Sequence, residues 1–220
     1  MGAHAQDPTG AITGTIKDLG IDTVAHTSDT TLNKVVSAVN VIGNADGHNK
    51  IAINIMWTLI AGFLVMFMQA GFAMVETGFT QKKNVAHTMC MNFLIYGIGM
   101  IGFWICGFAF MFGGAFNIAN LGGSPGVIPH YISVHLFGHD FNILGTAGYF
   151  LSSKYYDVGI YTLFLFQMVF MDTTATIPTG SMAERWTLKS FVIYGFFISM
   201  FVYPIFGNWV WGGGWLSQLG

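Results

Sequence analysis

Long uncharged apolar runs separate the charged positions of this chain and predict four membrane-spanning helices. The first run covers residues 51–75 and exceeds the roughly 20 residues that an α-helix needs to cross a bilayer core. Further helices are predicted from about Asn84 to Phe112, from about Val158 to Met182 and from about Ser190 to Trp211. The pattern therefore predicts an all-α polytopic membrane protein.

Two segments lie outside these predicted spans. Residues 1–50 hold many of the charged positions and are predicted to form an external N-terminal segment. We favour a solvated leader for it, with one or two short helices between Thr15 and Asn49 as the alternative. Glycines and prolines interrupt the apolar pattern after Phe112, so residues 113–157 are predicted to form a long external loop.

The few basic residues of the second part of the chain predict its orientation. Lys82 and Lys83 lie between spans one and two, and Arg185 and Lys189 lie between spans three and four. Short loops rich in lysine and arginine stay on the cytoplasmic side. We therefore expect a multi-pass protein of the plasma (inner) membrane with its N-terminus outside.

Composition excludes several classes of protein. The chain is 53% hydrophobic and only 8% charged, whereas soluble domains carry about a quarter charged residues. Its 8 Lys+Arg against 10 Asp+Glu cannot supply the basic surface that nucleic acid requires. No nucleophile elbow, phosphate-binding loop, dinucleotide fingerprint or zinc-protease motif occurs. We expect no enzyme activity, no cofactor and no nucleic-acid partner.

Three histidines in the long loop raise the question of a metal site. His135 and His139 have a spacing that would suit a metal on a helix, and His130 and Asp140 are close in sequence. A loop rich in proline and glycine offers no fixed frame for such ligands. We therefore predict surface histidines and no metal site.

Asp172 is the only charged residue within the predicted spans. A charge in a span is expensive and is a functional hypothesis by default. Threonines 173, 174 and 176 follow it, and Pro178 removes one helical donor. One interpretation is a carboxylate that attracts or positions a cation at a helix break. The other is a structural acceptor that neighbouring helices satisfy, and both stay open here.

Aromatic residues mark two further places. Phe166 and Phe170 are four residues apart and share one face of span three, which by spacing alone favours packing. Three tryptophans flank glycines 212–214 at the outer end of span four: Trp209, Trp211 and Trp215. They fit an interfacial belt or a cage in which a desolvated cation gains about 2 kcal/mol over an indole face. The glycine run favours the cage.

Four short segments resemble the ammonium transporter (Amt/Mep/Rh) family. They are AGFAMVETG at 70–78, KKN at 82–84, GSMAER at 180–185 and WGGGWL at 211–216. Their order, spacing and positions at the predicted helix ends make the joint match specific, and it covers about 51–220. The resemblance implies a fold of eleven spans built from two inverted halves. We expect about four of those spans here, in a transmembrane domain at 51–220 that is incomplete on its C-terminal side.

The resemblance also implies roles for individual residues. Phe170 falls on one of two stacked phenylalanines that close the outer pore mouth, and Trp211 falls on the indole of the external ammonium site. Phe166 and Gln167 fall on the pair that shapes the vestibule before that gate. The implied function is ammonium transport through a hydrophobic pore, with cation–π recruitment outside and deprotonation along the way. In members that are sensors, the same fold is fused to a cytoplasmic kinase-type output, which is the alternative function.

Two features depart from the family pattern. The pore centre of the family holds a pair of histidines on the fifth and tenth helices, and none of the seven histidines present falls on them, so we expect a fragment of the fold. Small residues are common in relatives where this chain has Asp172. The partners that the resemblance implies are ammonium or ammonia, membrane lipid, two further copies in a homotrimer, and a PII-type cytoplasmic regulator or fused kinase.

Overall fold

A computed structural model describes residues 30–114, 117–118, 121–123, 130–136 and 139–218. Within these residues, four helices are long and apolar enough to cross a membrane. They are Leu32–Phe79, Val85–Phe112, Val158–Ser181 and Leu188–Ser217. The prediction of an all-α polytopic fold with four spans is confirmed.

The first helix, α1 (Thr30–Phe79), is 50 residues long and so extends about 75 Å at 1.5 Å per residue, well beyond a hydrocarbon core of about 30 Å. Residues 30–50 are helical in the structure, unlike the leader that we favoured, but they continue the first span and do not form the one or two short helices of the alternative. Apolar side chains at Leu32, Val35 and Val39 follow helical spacing and no proline intervenes, so the helix of the span continues upstream. The rest of the predicted N-terminal segment lies outside the described residues.

The second span is interrupted by one wider turn. Helix α2 (Val85–Gly102) passes through a π-helical turn, Phe103–Gly107, into α3 (Phe108–Phe112). Gly113 then adopts φ +58°, a left-handed conformation that glycine takes without strain and that commonly ends helices. This span therefore ends where the glycines of the sequence predict.

The third span, α4 (Val158–Ser181), starts at a capped end, because the Asp157 side chain accepts a hydrogen bond from the Ile160 amide at 3.1 Å. Its C-terminal turn contains Pro178. The helix nevertheless continues to Ser181, so the helix break that one of the two interpretations of Asp172 invoked is not present in α4. Packing of α4 against both α1 and α2 outweighs the loss of one backbone donor.

The fourth span has the same construction as the second. Helix α5 (Leu188–Phe197) continues through a π-helical turn, Ile198–Val202, into α6 (Tyr203–Val210). The two π turns face each other, and a Cβ at Gly107 would lie 2.5 Å from the Ser199 carbonyl oxygen. Small residues at this crossing let the two helices approach closely.

The segment predicted as one long loop contains two antiparallel hairpins in its described parts. Strands β1 (Asn117–Ile118) and β2 (Gly122–Gly123) form the first, and β3 (Tyr131–Leu136) and β4 (His139–Gly145) form the second. In β3–β4, Tyr131 lies opposite Gly145. Glycine and proline ended the apolar pattern in the sequence but did not reveal this pairing.

An aromatic cluster joins spans two, three and four in the core. The Phe103 ring stacks on Phe164 at 5.7 Å between centroids, and the edge of Phe108 meets Phe164 at 5.4 Å. Tyr203 contacts Phe103 at 6.1 Å. These rings fix α6 against α4, the two helices that carry the predicted site residues.

Candidate functional site

The two ends of the bundle differ in what they hold. At one end the Gln81 backbone amide donates a hydrogen bond to Glu184 Oε1 at 2.6 Å, which joins the loop after α1 to the loop after α4. At the other end the β3–β4 hairpin contacts the chain that follows α6. Trp211 is therefore on the opposite end from the lysine-bearing loop.

Phe166 and Phe170 lie side by side on α4, as their spacing predicts. Their ring centroids are 4.7 Å apart and their planes are tilted by 46°. Both side chains are half-buried. The pair thus forms a continuous aromatic surface on one face of the third span.

Gln167 is turned into the bundle beside this pair. It is buried, and its Oε1 accepts a hydrogen bond from the Tyr203 hydroxyl at 2.8 Å. Tyr203 begins α6, the helix that ends next to Trp211. The predicted vestibule residue Gln167 therefore connects the Phe166/Phe170 helix to the Trp211 helix.

Trp211 follows directly after α6, and its side chain is 57% exposed. Its backbone amide donates to the Gly207 carbonyl at 2.8 Å. The helix therefore fixes the backbone of Trp211, while the indole ring projects from the surface. Trp209 and Trp215 contact each other instead, with centroids 5.8 Å apart. Of the three predicted tryptophans, Trp211 is thus the one that offers an open indole face.

Asp172 is directed away from the Phe166/Phe170 surface. It follows Phe170 by two residues, which is about 200° around a helix, and it is only 3% exposed. Within the described part of the chain, its Oδ1 atom has no hydrogen-bond partner. The structure therefore brings the two phenylalanines together and places the carboxylate in the packed interior.

Glu76 is a further buried carboxylate, which the sequence analysis missed. Because α1 continues to Phe79, Glu76 lies inside the helix and is 8% exposed. The prediction that Asp172 is the only charged residue within a span is therefore wrong. Glu76 directly follows the uncharged run 51–75, and extending the helix to the glycine at 78 would have included it.

The Glu76 carboxylate is the centre of a polar network between three helices. Its Oε2 accepts hydrogen bonds from Asn92 Nδ2 at 2.7 Å and from Thr179 Oγ1 at 2.6 Å. Two turns earlier on α1, the Gln69 amide donates to the Asn92 carbonyl at 2.7 Å and to Thr176 Oγ1 at 3.0 Å. Such satisfied networks are how membrane helices accommodate polar side chains.

An open cavity of about 700 Å³ lies at this end of α1 and α4, with Glu76 and Glu184 in its wall. Glu184 has φ +66°. The hydrogen bond from the Gln81 amide, followed by one from the Asn84 side chain, holds the pKa of Glu184 below its usual range. This end of the bundle therefore carries an exposed, ionised carboxylate next to the basic loop.

The described residues contain no group of three or more histidine, cysteine, aspartate or glutamate side chains that could hold a metal ion. The side chains of His139 and Asp140, which the sequence analysis weighed as ligands, are outside the described part. His130 and His135 are exposed.

Comparison with known proteins gives concordant results. The model of the Ammonium Transporter Family matches residues 56–220. Ammonium transporter Amt2 of Archaeoglobus fulgidus is 40% identical over 169 residues, which is 77% of this chain and 31% of that protein. Ammonium transporter 1 member 3 of Solanum lycopersicum is 32% identical over 171 residues, 76% of this chain and 31% of that protein.

A solved structure named Sensor Amt Protein superposes with a TM-score of 0.62 at 33% identity and covers 78% of this chain and 38% of that one. The chain therefore spans about a third of the length of the relatives that it matches.

Proposed function

The chain belongs to the ammonium transporter family, and we propose that it binds ammonium and takes part in carrying it across a membrane. The observation that carries this proposal is the arrangement of α4 and α6. A paired phenylalanine surface on α4 is joined through Gln167 and Tyr203 to the helix that ends at an exposed Trp211. The family resemblance gives the same residues their roles.

Recruitment of the cation is the first proposed step. Trp211 presents an indole ring that is more than half exposed, so a hydrated ammonium ion reaches it without any movement of the protein. A cation over an indole face gains about 0.5–1 kcal/mol at an exposed site and about 2 kcal/mol when desolvated. The gain therefore increases as the ion leaves bulk water and offsets part of the cost of its dehydration.

Phe170 is the proposed gate residue of this chain, and Phe166 lies beside it in the proposed vestibule. Phe170, supported by Phe166 at 4.7 Å, offers an apolar surface with no hydrogen-bond partner for a charged ion. Passage beyond such a surface costs a cation its hydration, whereas neutral ammonia pays far less. The gate therefore favours release of a proton before or during passage, followed by movement through a hydrophobic pore.

Gln167 acts as a support in this proposal. Because its Oε1 already accepts the Tyr203 hydroxyl, the side chain holds α4 and α6 in register and shapes the vestibule wall from behind. Its burial argues against direct contact with the entering ion.

We assign Asp172 a long-range role as a cation-positioning carboxylate. It is buried, and its Oδ1 lacks a partner within the described residues, so its field is not cancelled by a neighbouring donor at that atom. It acts on an ion at Phe170 across the width of one helix, about 10–12 Å. Because its side chain is directed away from the Phe166/Phe170 face, Asp172 does not directly coordinate an ion that is bound on that face.

The remaining proposals concern location and partners. A plasma-membrane position with the N-terminus outside rests on Lys82, Lys83, Arg185 and Lys189 at one end of the bundle. Assembly as a homotrimer, and regulation by a PII-type protein or a fused kinase, rest on the family resemblance.

An ammonium sensor is the second candidate function. It is supported by the structural neighbour named Sensor Amt Protein, to which this chain is 33% identical. In a sensor the same outer site would bind ammonium, and the output would be a signal rather than a flux.

Ammonium-dependent current separates the two candidates. We would reconstitute the full-length protein on a solid-supported membrane and apply pulses of ammonium, methylammonium and potassium. A saturable ammonium current that Trp211→Leu shifts to higher concentration supports transport. Ammonium binding without current supports the sensor, and absence of both binding and current contradicts the proposed function.

A further inference from the structure

Two side chains of the β3–β4 hairpin donate hydrogen bonds to the turn that follows Trp211. From β3, the Tyr131 hydroxyl donates to the Gly212 carbonyl. From β4, the Asn142 amide donates to the Gly213 carbonyl at 3.0 Å. The backbone of β4 also takes part, because Trp209 Nε1 donates to the Ile143 carbonyl at 3.0 Å.

The turn after Trp211 consists of glycines and is held both by the hairpin and by its own backbone, since the Gly214 amide donates to the Asn208 carbonyl at 2.9 Å. Gly213 has φ +81°, and a Cβ at Gly214 would lie 2.5 Å from the Asn208 carbonyl oxygen. Glycine permits this close, left-handed path, but it also gives the chain the most freedom to leave it. The two carbonyls that directly follow Trp211 are the ones that the hairpin holds.

The Trp211 ring itself has little packing to orient it, since its side chain is 57% exposed. The direction of its Cα–Cβ bond is set by its own backbone, which is held by α6 on one side and by Gly212 and Gly213 on the other. A shift of the backbone at 212 and 213 would move this bond and carry the indole ring with it.

We propose that the β3–β4 hairpin is the device that orients Trp211, with Tyr131 and Asn142 as its positioning residues. The inference rests on the proposed role of Trp211 in binding ammonium. A cation must lie over the indole face within about 6 Å of the ring centroid to gain from it, so the hairpin acts on affinity through geometry and touches no ion itself.

The donor at Tyr131 is present throughout the working pH range. Burial raises the pKa of Tyr131 to about 12, so its hydroxyl keeps its proton. The hairpin therefore holds the turn equally well at neutral and moderately alkaline pH.

A double-mutant cycle tests the inference. We would measure the affinity of the full-length protein for ammonium chloride by calorimetric titration, for the unmodified protein, Tyr131→Phe/Asn142→Ala, Trp211→Leu and the combination of all three. Thr146→Val is the matched control. It removes a hydrogen bond within the same loop, from Thr146 Oγ1 to the His130 carbonyl, without touching the turn.

The expected result is a loss of affinity of about threefold to tenfold in the hairpin variant, as a misaligned cation–π contact requires, and no further loss in the Trp211→Leu background. An equal loss in both backgrounds would overturn the inference, as would unchanged affinity in the hairpin variant when Trp211→Leu binds more weakly. Unchanged affinity in Trp211→Leu itself would instead contradict the proposed ammonium site.

A second measurement applies if binding by Trp211→Leu is too weak to titrate, and a second variant applies if the double variant does not fold. If Trp211→Leu binds too weakly to titrate, tryptophan fluorescence replaces the titration. The emission of Trp211 is the spectrum of each protein minus the spectrum of the same protein carrying Trp211→Leu. This difference spectrum is expected to change in the hairpin variant and to stay unchanged in Thr146→Val. Identical difference spectra would overturn the inference. If the double variant does not fold, Tyr131→Phe alone, which keeps the ring, serves in its place.

Discussion

The Tyr203 hydroxyl donates a hydrogen bond to Gln167 Oε1 at 2.8 Å between two buried side chains. The bond joins α4, which carries the Phe166/Phe170 pair, to α6, which ends at Trp211. These two helices supply the proposed gate and the proposed recruitment site. The relative position of the gate and the site therefore depends on a buried contact that neither the ion nor the solvent reaches.

Replacement of Tyr203 by Phe is expected to destabilise the protein by about 1–3 kcal/mol. The change leaves the Gln167 carbonyl buried without a donor, and an unsatisfied buried polar group costs about that amount. Thermal unfolding in detergent micelles measures the effect. Tyr161→Phe, at a residue that is 44% exposed, is the control, and equal midpoints for the two variants would contradict the prediction.

Replacement of Trp211 by Leu is expected to weaken ammonium binding by about threefold to thirtyfold while the unfolding midpoint stays unchanged. The lost ring corresponds to about 0.5–2 kcal/mol of cation–π attraction, and an exposed side chain contributes little to the core. Isothermal titration of the full-length protein measures the affinity. Trp57→Leu removes another exposed tryptophan, from α1, and should leave affinity intact. An unaltered affinity in Trp211→Leu would remove this residue from the site.

The apolar runs predicted the spans well because a bilayer imposes one requirement on every spanning segment. About 20 apolar residues must satisfy their backbone internally, so length and hydropathy alone locate helices such as α4. Helix ends are a different matter. The extension of α1 upstream to Thr30 depends on the continuation of a helix into water, which local pattern permits but does not require.

The site residues likewise divide into features that the local sequence pattern predicts and features that it does not. The spacing of Phe166 and Phe170 predicted their shared face, because side-chain direction in a helix follows from position. The partners of Gln167 and Glu76 lie on other helices, as Tyr203 and Asn92, and pairing across helices leaves no periodic signal in the sequence. The hydrogen bonds from the β3–β4 hairpin to the carbonyls of glycines 212 and 213 could not be predicted for the same reason.

Replacement of Asn92 by Leu is expected to destabilise the bundle by about 1–3 kcal/mol or more. Leucine keeps a similar volume but removes the amide that donates to Glu76 Oε2 at 2.7 Å, and loss of a donor to a buried charged group is costly. The measurement is the unfolding midpoint in micelles.

Thr88→Val is the matched control for Asn92→Leu. Thr88 lies one turn earlier on α2, is equally buried, and its hydroxyl oxygen has no hydrogen-bond partner among the described residues. Valine should therefore be tolerated there. Comparable losses at both positions would indicate that packing, and not the Glu76 hydrogen bond, governs the effect.

The contact between Glu184 and Gln81 is expected to weaken in acid. Since the folded state holds the pKa of Glu184 below its usual range, the carboxylate contributes stability that is fully present above the ordinary glutamate pKa of about 4.3. That contribution is lost as the pH falls through the lowered value. The midpoint difference between the unmodified protein and Glu184→Gln should therefore be small, positive at about pH 7, and decrease as the pH falls below the ordinary glutamate pKa of about 4.3. A difference that does not change with pH would contradict this account.

Replacement of Asp172 by Asn is expected to lower ammonium affinity by up to about tenfold without loss of stability. A full unit charge acting over about 12 Å at an effective dielectric constant of about 20 contributes about 1.4 kcal/mol, so a factor of ten is the upper limit of the loss. The amide loses no hydrogen bond at Oδ1, which has no partner in the described part of the chain. Titration and thermal unfolding measured on the same preparations separate the two effects. Thr174→Val, which removes a hydroxyl bonded only to the Phe170 carbonyl of its own helix, controls for loss of a polar group on α4. A large drop in the unfolding midpoint with normal affinity would assign Asp172 a structural role instead.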